Sequence, residues 1–421
     1  MNSSFQLLKN RIGLIKIISL DVILYFFLAL FIYQFNNLQI PFFINILLWV
    51  FFSYLLGRYH LISLKYQSLI RYLVKSFLVY LLIILINNNF SFYSNFFHVY
   101  FLSSIFFNMI NKLNCKDNNA KRIWLTNDKR LENLYKSSKF MFKNNFIYLY
   151  DINHNYKLFE YEGFILNEKI SNSYQLKSIL SINKNLKIYS SLEWCELYLE
   201  SLPVDLIDNN DFYKRLENFN KNDIFFNIKR VFEFAFSLII FVFLIPIIIF
   251  FSILIFLQDG TPLFYSQIRT GINQKCIKIF KIRSMRVDSE KNGPQWSISN
   301  DQRITLIGKL IRKNRIDELP QLLSVVAGDL SLIGPRPERP EIDKILESKI
   351  KSYSKRYVIK PGITGWAQVN YPYGASIEDS KIKQSYDLFY IMNASFVLDL
   401  IIFFKTIKLV LNGKGAKANP N

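Results

Sequence analysis

Apolar positions in this chain are bunched rather than evenly spread. Four near-continuous runs open it, about Ile12 to Phe35, Ile40 to Leu56, Leu73 to Ile86 and Phe90 to Ile110. Runs of this length read as membrane helices whose ends are blurred by Lys16, Asp21 and Lys75. Lys9 and Arg11 precede the first run, Arg58, Lys65 and Arg71 separate the second from the third, and Lys112, Lys116, Lys121 and Arg122 follow the fourth. The other two loops, Asn36–Gln39 and Asn87–Asn95, carry no charge. Positive loops stay on the cytoplasmic side, so residues 1–115 read as a four-helix transmembrane domain with both ends facing the cytoplasm. Buried helices of a soluble core are the competing reading, and they leave the loop charges unexplained. Asp21 marks either a functional group or a helix-to-helix contact.

From about residue 120 to 208 the pattern changes to short β-branched and aromatic runs, RIWLT, FIYLYDI, GFILN and LKIYSS, separated by helix-like segments such as Asp128–Lys139. That alternation predicts a small Rossmann-like α/β layer domain. The residues after RIWLT are Asn127, Asp128 and Lys129, with no G-x-G-x-x-G, so the dinucleotide loop of such folds is missing. A regulatory, oligomerising or vestigial role is the reading, with binding of an unidentified ligand as the alternative, and homo-oligomerisation stays open. The stretch Leu192 to Asp208 links this domain to the C-terminal half of the chain.

A fifth apolar run, Val231 to Leu257, is interrupted only by Glu233 and Pro246. As a helix it is about 40 Å long, enough to span a bilayer, but proline removes a hydrogen bond and kinks the helix. Near the C-terminus, SFVLDLIIFFKTIKLVL carries Asp399, Lys405 and Lys408 among apolar residues. It suits either the membrane interface or packing on a core.

Composition sharpens this picture. Half of the 421 residues are hydrophobic, including 40 Phe, and net charge is +20. That excess suits nucleic acid, anionic lipid or an anionic substrate, but no zinc finger or recognition motif accompanies it, so nucleic acid is set aside. Cys115, Cys195 and Cys276 lie far apart, which excludes a disulfide framework or structural zinc. The histidines, His60, His98 and His154, all precede the polar C-terminal region, so proton transfer or nucleophilic attack there falls to carboxylates, Lys, Tyr, Ser or Thr. No small-residue cleavage site follows a short apolar core, so no removed leader is read.

The candidate chemistry gathers between Arg303 and Asn370. In RIDELPQL, Arg315 to Leu322, Asp317 and Glu318 stand side by side behind Arg312, Lys313 and Arg315. The ordinary reading makes Asp317 a helix cap and Glu318 a partner of the helix dipole. Three features favour phosphate handling instead: the basic residues before the pair, the proline-stiffened GPRPERP loop carrying Arg336 and Arg339, and KPGITGWAQVN, whose glycines permit close backbone approach and whose Trp366 suits stacking. KIFKIRSM alternates like a strand presenting Lys281 and Arg283, with a merely solvated basic strand as its alternative.

These motifs, in order KR at Lys229–Arg230, KIFKIRSM, DQRITLIGKLIRKNRIDELPQL, GDLSLIGPRPE, KPGITGWAQVN and YDLFYI at Tyr386–Ile391, resemble the bacterial sugar transferases. These are the monotopic phosphoglycosyl transferases, and the layout is similar to their long-chain undecaprenyl-phosphate hexose-1-phosphate transferase type. The resemblance covers about Lys229 to Ala416. It implies a catalytic α/β domain over residues 226–421, with the 231–257 helix entering the membrane, breaking at Pro246 and returning to the same face. Ile245 and Glu233 depart from the family's usual Ser and Asp at those places.

The implied reaction moves a sugar 1-phosphate from a UDP-sugar to polyprenyl phosphate at the cytoplasmic face of a bacterial inner membrane. It starts a lipid-linked glycan such as exopolysaccharide, O-antigen or capsule. Asp317 is implied as nucleophile of an aspartyl phosphosugar intermediate, with Mg²⁺ beside Asp317 and Glu318 and Glu318 as metal or base partner. Arg312, Arg336 and Arg339 are candidates for phosphate contacts, with Lys281, Arg283 and Gln368 assisting, and Gln368, Gly362 and Gly365 are structural or nucleotide-facing. A hexose is the first choice of sugar. A membrane-bound nucleotide-sugar dehydratase is excluded by the missing dinucleotide loop, and a noncatalytic membrane scaffold of a polysaccharide assembly complex stays as the alternative.

Overall fold

The computed structural model describes residues 12–33, 40–56, 66–86, 99–105, 122–142, 145–149, 161–167, 187–207, 223–287, 289, 301–371 and 376–411. They form two compact units, Met1–Lys121 and Arg122–Asn421. In the first, the apolar runs become helices α1 (Ile12–Tyr33), α2 (Ile40–Leu55) and α3 (Tyr66–Ile86), and residues 99–105 are helical as well. Most of the basic residues that set the orientation, and the rest of the fourth run, lie outside the described residues, while Arg71 falls within α3 and Arg122 opens the first strand of the second unit. Tyr25, Ile46, Trp49, Val79, Ile83 and Tyr100 make the core. Asp21 is buried against it, its carboxylate accepting from Trp49 Nε1 at 3.4 Å and its carbonyl from the Tyr100 hydroxyl at 3.2 Å. A polar residue placed there ties helices together.

The second unit opens with four strands, β1 (Arg122–Thr126), β2 (Asn145–Leu149), β3 (Gly163–Leu166) and β4 (Lys187–Ser190). All pair in parallel, in the order β2-β1-β3-β4. Continuous apolar runs such as RIWLT suit a parallel sheet because both of its faces are covered. Helix α4 (Lys129–Ser137) follows β1 and is capped by Asp128, which accepts from the Arg130 amide. Trp124, Trp194 and Tyr198 pack ring against ring beneath the sheet.

The sheet belongs to the same compact unit as the C-terminal motifs, and the stretch after β4 joins them. Ser191–Trp194 runs into a π-helical turn, Cys195–Leu199, and Glu200 closes it in the left-handed conformation at φ 52°. Glu200 O accepts from Trp366 Nε1 at 2.9 Å, Leu202 N donates to Ser385 O at 2.8 Å, and Glu196 accepts from Asn393.

The fifth apolar run is helix α5 (Asp223–Asp259), 37 residues long. Among the described residues it is the one helix long and apolar enough to cross a membrane. The interruption implied at Pro246 is corrected here: the backbone stays helical through it. Proline costs the helix one bond, but its fixed φ is a helical value and the turns on both sides hold. One stripe, Lys229, Glu233, Ser237, Phe241, Ile248, Ser252 and Ile255, is buried or half-buried along the helix. The opposite surface, including Phe232, Phe243, Ile249 and Leu257, is exposed and apolar.

Both ends of α5 are bonded to the rest of the unit. Lys229 Nζ lies 3.0 Å from Asp399 Oδ2 and donates to Ile333 O at 2.8 Å and to the Tyr390 hydroxyl at 2.6 Å. Glu233 accepts from Ser331 Oγ at 2.7 Å and from the amides of Leu332 and Ile333. At the far end Gln258 Oε1 accepts from Ile307 N, while Ile248 and Ile255 pack on Ile282 and Ile311. The polar network at Lys229 is buried, so Lys229→Met leaves Asp399 and Glu233 without their cation. The expected loss is about 3–5 kcal/mol, read as a lowered Tm in detergent. Adding Asp399→Asn should recover part of it, and an unchanged Tm in Lys229→Met would count against the clamp.

Candidate active site

The site is assembled from a hairpin, a helix end and a loop. Strands β5 (Phe264–Thr270) and β6 (Cys276–Ile282) pair antiparallel, with Tyr265 opposite Lys281 and Arg269 opposite Ile277. Side chains alternate along a strand, so Arg269 and Lys281 share the face that carries Ile277 and Ile279 onto Val325 and Leu330. KIFKIRSM is thus a strand as expected, but Lys281 faces inward rather than into solvent.

Helix α6 (Leu306–Lys313) is capped by Thr305, whose hydroxyl accepts from Gly308 N. The chain then turns through Arg315, held left-handed at φ 59°, into a 3₁₀ turn, Ile316–Glu318, before α7 (Gln321–Ala327) begins. A bulky residue in that conformation carries local strain. Its effect is to turn the Asp-Glu pair off the helix. The capping role for Asp317 is therefore wrong: Pro320 stands at the start of α7, and Asp317 Oδ1 is buried with no hydrogen-bond partner.

Glu318 is the hub. Its Oε1 meets Arg336 Nη2 at 2.6 Å and Lys281 Nζ at 3.2 Å, and its Oε2 meets Arg315 Nη1 at 3.3 Å. Burial opposes its ionisation, yet Arg336, Lys281 and Arg315 together hold its carboxyl well below the usual range. Asp317 goes the other way. Burial and the neighbouring Glu318 anion push its carboxyl up, against the pull of Lys281, Arg312 and Arg315. Burial also pulls the Lys281 ammonium down, opposed by Glu318. Arg312 keeps Nη1 buried without a partner near the pair.

The GPRPERP loop delivers Arg336. Pro335, Pro337 and Pro340 have no N–H, so the loop is anchored through its carbonyls. Gly362 N donates to Pro335 O at 2.9 Å, Arg269 Nη1 to Pro337 O at 3.2 Å and Thr270 N to Glu338 O at 2.9 Å. Arg269 also pairs with Glu338 at 3.6 Å and feels Arg336 and Arg339 as like charges. Arg339 stands at the N-cap position of the next helix, α8 (Pro340–Lys349), without a side-chain capping bond, at the edge of this cluster.

Other expectations change. The glycines of KPGITGWAQVN serve the backbone of β7 (Ser331–Ile333) and β8 (Gly362–Thr364), because a Cβ on Gly362 would fall on the Gly334 backbone, as would one on Gly365. Trp366 does not await a ligand: it is buried, with Phe389 stacked at 6.0 Å and the Lys405 ammonium 4.3 Å from its ring centre. Gln368 donates to Ile363 O at 3.1 Å. Arg283, just beyond β6, is buried and donates to Gly260 O at 2.8 Å, at the end of α5.

The structure therefore joins Asp317, Glu318, Arg312, Lys281 and Arg336, sets Arg339 beside them, and gives Arg283 and Gln368 bonds to the scaffold. Sequence reasoning missed Arg269 as a member and left Arg315 unassigned. The alternation of FYSQIRT was the available signal for Arg269, but without the hairpin register it does not say which face is inward.

The family model described as bacterial sugar transferase matches residues 224–413. An undecaprenyl-phosphate N-acetylgalactosaminephosphotransferase of Aeromonas hydrophila that uses UDP-N-acetylgalactosamine is 44% identical over 172 residues, 41% of this chain and 41% of that protein. An exopolysaccharide production protein of Rhizobium leguminosarum bv. phaseoli is 37% identical over 195 residues, 45% of this chain and 98% of that protein. A UDP-glucose:undecaprenyl-phosphate glucose-1-phosphate transferase of Xanthomonas campestris pv. campestris is 38% identical over 174 residues, 41% of this chain and 36% of that protein. The matched stretch thus spans less than half of the Aeromonas and Xanthomonas proteins.

The opposed carboxyls give a titration to measure. The Asp317 carboxylate band, isolated by infrared difference against Asp317→Asn, should appear at a pH above the ordinary aspartate range. Lys281→Met removes a cation that favours the anion and should move that midpoint higher. Glu318→Gln removes the repelling anion and should move it lower. A native midpoint in the ordinary range would contradict the geometry.

Proposed function

Because the chain belongs to the bacterial sugar transferase family, we propose that it transfers a sugar 1-phosphate from a UDP-sugar to polyprenyl phosphate, with Asp317 as nucleophile. The observation that carries this is the contrast within one buried pair: Glu318 is held by three cations, while Asp317 Oδ1 is buried and unpaired. A carboxylate short of partners is the more reactive of the two.

In the first step an Asp317 carboxylate oxygen bonds to the sugar-bearing phosphorus. The bond from that phosphorus to the bridging oxygen breaks, and UMP leaves with the electron pair. In the second, an oxygen of polyprenyl phosphate attacks the same phosphorus and the bond to Asp317 breaks. The product is polyprenyl diphosphate sugar. Donor and acceptor are both anionic, so the site must neutralise charge without a proton donor, and Arg336, Lys281, Arg312, Arg315 and Arg269 bring fixed positive charge to it.

Mg²⁺ fits this donor set in one respect. The orphaned Asp317 Oδ1 suits a cation that takes one or two carboxylates and fills its other positions with phosphate oxygens. Glu318 fits less well, since both its oxygens face cations, and the described residues hold no cluster of three or more His, Cys, Asp or Glu. When bound, the ion would screen the donor phosphates. Asp317 Oδ1 would hold it, leaving the other carboxylate oxygen for the attack on phosphorus, and Glu318 instead keeps the arginines and Lys281 in place.

The membrane reading is multi-pass and rests on the apolar sequence of the four N-terminal runs, with the transferase unit at the cytoplasmic face, where water-borne UDP-sugars meet it. For α5, lying in the membrane without crossing it is supported by its two ends being bonded to the same unit. The order of the parallel sheet, which reverses direction around β1, supports the Rossmann-like reading. At its carboxyl edge the Ser191 hydroxyl donates to Asp128 at 2.8 Å and Asn127 accepts from Asn167 N, so side chains occupy the ligand crevice of such folds.

The test is UMP release by the detergent-purified chain with Mg²⁺ and polyprenyl phosphate, across UDP-glucose, UDP-galactose and UDP-N-acetylgalactosamine. Release with one donor, abolished in Asp317→Asn, is expected. Equal release from both forms would remove Asp317 as nucleophile, and none with any donor would favour the noncatalytic scaffold.

A further inference from the structure

We propose that Arg356 is a positioning residue for the transfer reaction, fixing the main chain of Arg336 so that the Arg336 guanidinium stands on Glu318. The inference rests on the transfer reading above. Arg336 sits between two prolines, so neither neighbour can anchor it through an N–H. The carbonyls of Pro335 and Glu338 are taken by strand amides, but the Arg336 carbonyl is taken by a side chain, Arg356 Nη2, at 2.8 Å.

The same nitrogen donates its other proton to Asp387 Oδ2 at 2.8 Å, and Arg356 Nη1 donates to the Tyr353 hydroxyl. Arg356 is 5% exposed and Asp387 1%. The rings of Tyr353 and Tyr357 stand 5.1 and 5.5 Å from the guanidinium carbon. A buried ion pair of this kind is a poor source of stability, since apolar residues of similar shape usually serve as well. What it supplies is direction. The planar guanidinium fixes both of its arms at once, Nη2 on Asp387 and the loop carbonyl and Nη1 on the Tyr353 hydroxyl, and a single ammonium nitrogen has no such fork.

Arg336 then directs its own guanidinium to Glu318 at 2.6 Å. The chain of contacts is Asp387 to Arg356, Arg356 to the Arg336 carbonyl, and the Arg336 side chain to Glu318. Arg356 acts on the site through that main chain, and its effect must vanish when the Arg336 side chain is gone.

A double-mutant cycle on the full purified chain tests this, with Arg336→Ala, Arg356→Lys and the two combined. The readouts are kcat and KM for UMP release, and UDP affinity by titration calorimetry. Arg336→Ala should lower kcat/KM about 100-fold, and Arg356→Lys about 10- to 100-fold. The double variant should match Arg336→Ala alone, in rate and in UDP affinity. Losses that multiply would overturn the proposal, because a residue that only supports the fold acts independently of Arg336. If Arg356→Lys does not fold, Asp387→Asn takes its place in the same cycle. A native chain that releases no UMP but binds UDP fails the transfer reading while the affinity cycle still decides the inference. A native chain that releases UMP and shows independent losses fails the inference alone, and one that does neither removes both.

Discussion

Two adjacent carboxylates cannot both leave water as anions unless positive charge is brought in with them. At Asp317–Glu318 the chain meets that constraint unevenly. Lys281 comes from strand β6, Arg315 from the left-handed residue before the turn, and Arg336 from the GPRPERP loop, and all converge on Glu318. Asp317 receives no such partner on Oδ1. The pair therefore divides into an anion that organises its surroundings and a neighbour whose charge is costly to keep. Three separate parts of the sequence must arrive in register for that division to exist, which explains why so much of the unit is devoted to anchoring them.

Much of the anchoring passes through one helix, Ile377–Asn393, opened by a capping box between Ser376 and Asp379. Lys381, Ser385 and Asn393 face the segment after the parallel sheet, pairing with Asp205, Leu202 and Glu196. Asp387 turns toward Arg356 and so toward the Arg336 carbonyl. Tyr390 turns toward Lys229 and donates to Asp399, where the apolar helix is clamped. One motif, YDLFYI, thus supplies a group to the loop network and another to the network that clamps the apolar helix. A shift of this helix would be felt at both.

Elements set by local pattern were legible in the sequence. RIWLT, FIYLYDI, GFILN and LKIYSS became the four parallel strands, and the helix after RIWLT starts at its Asp128 cap. Asp317, Glu318, Lys281 and Arg336 were legible as a group because their residue types share one chemistry. What stayed hidden depends on long-range register. Arg356 lies in a 3₁₀ turn, and its role appears only once the loop carbonyl is beside it. Trp366 and the glycines of KPGITGWAQVN have the composition of a ligand site, yet their neighbours turn out to be Phe389, Lys405 and the Gly334 backbone. Composition identifies what a residue can do, and packing decides what it does.

The position of the carboxylate turn relative to the apolar helix bears on how a lipid substrate and a water-borne one meet. Ile316 and Leu319 flank Asp317 and Glu318, and both pack into the cluster of Ile248 and Ile255 on α5 with Ile282 and Ile311. Within four consecutive residues the side chains therefore divide. The outer two lie against a helix whose other surface is exposed and apolar, and the inner two lie among cations. In the proposed transfer, this sets the attacking carboxylate on the inner side of a helix whose opposite surface suits acyl chains, while Arg336 and Arg269 arrive on the GPRPERP side. A polyprenyl phosphate can then keep its chain in the apolar phase and bring only its headgroup to Asp317. The donor diphosphate needs the opposite, a polar approach lined with arginine. A short turn resting on an amphipathic seam meets both demands without moving either substrate out of its own phase.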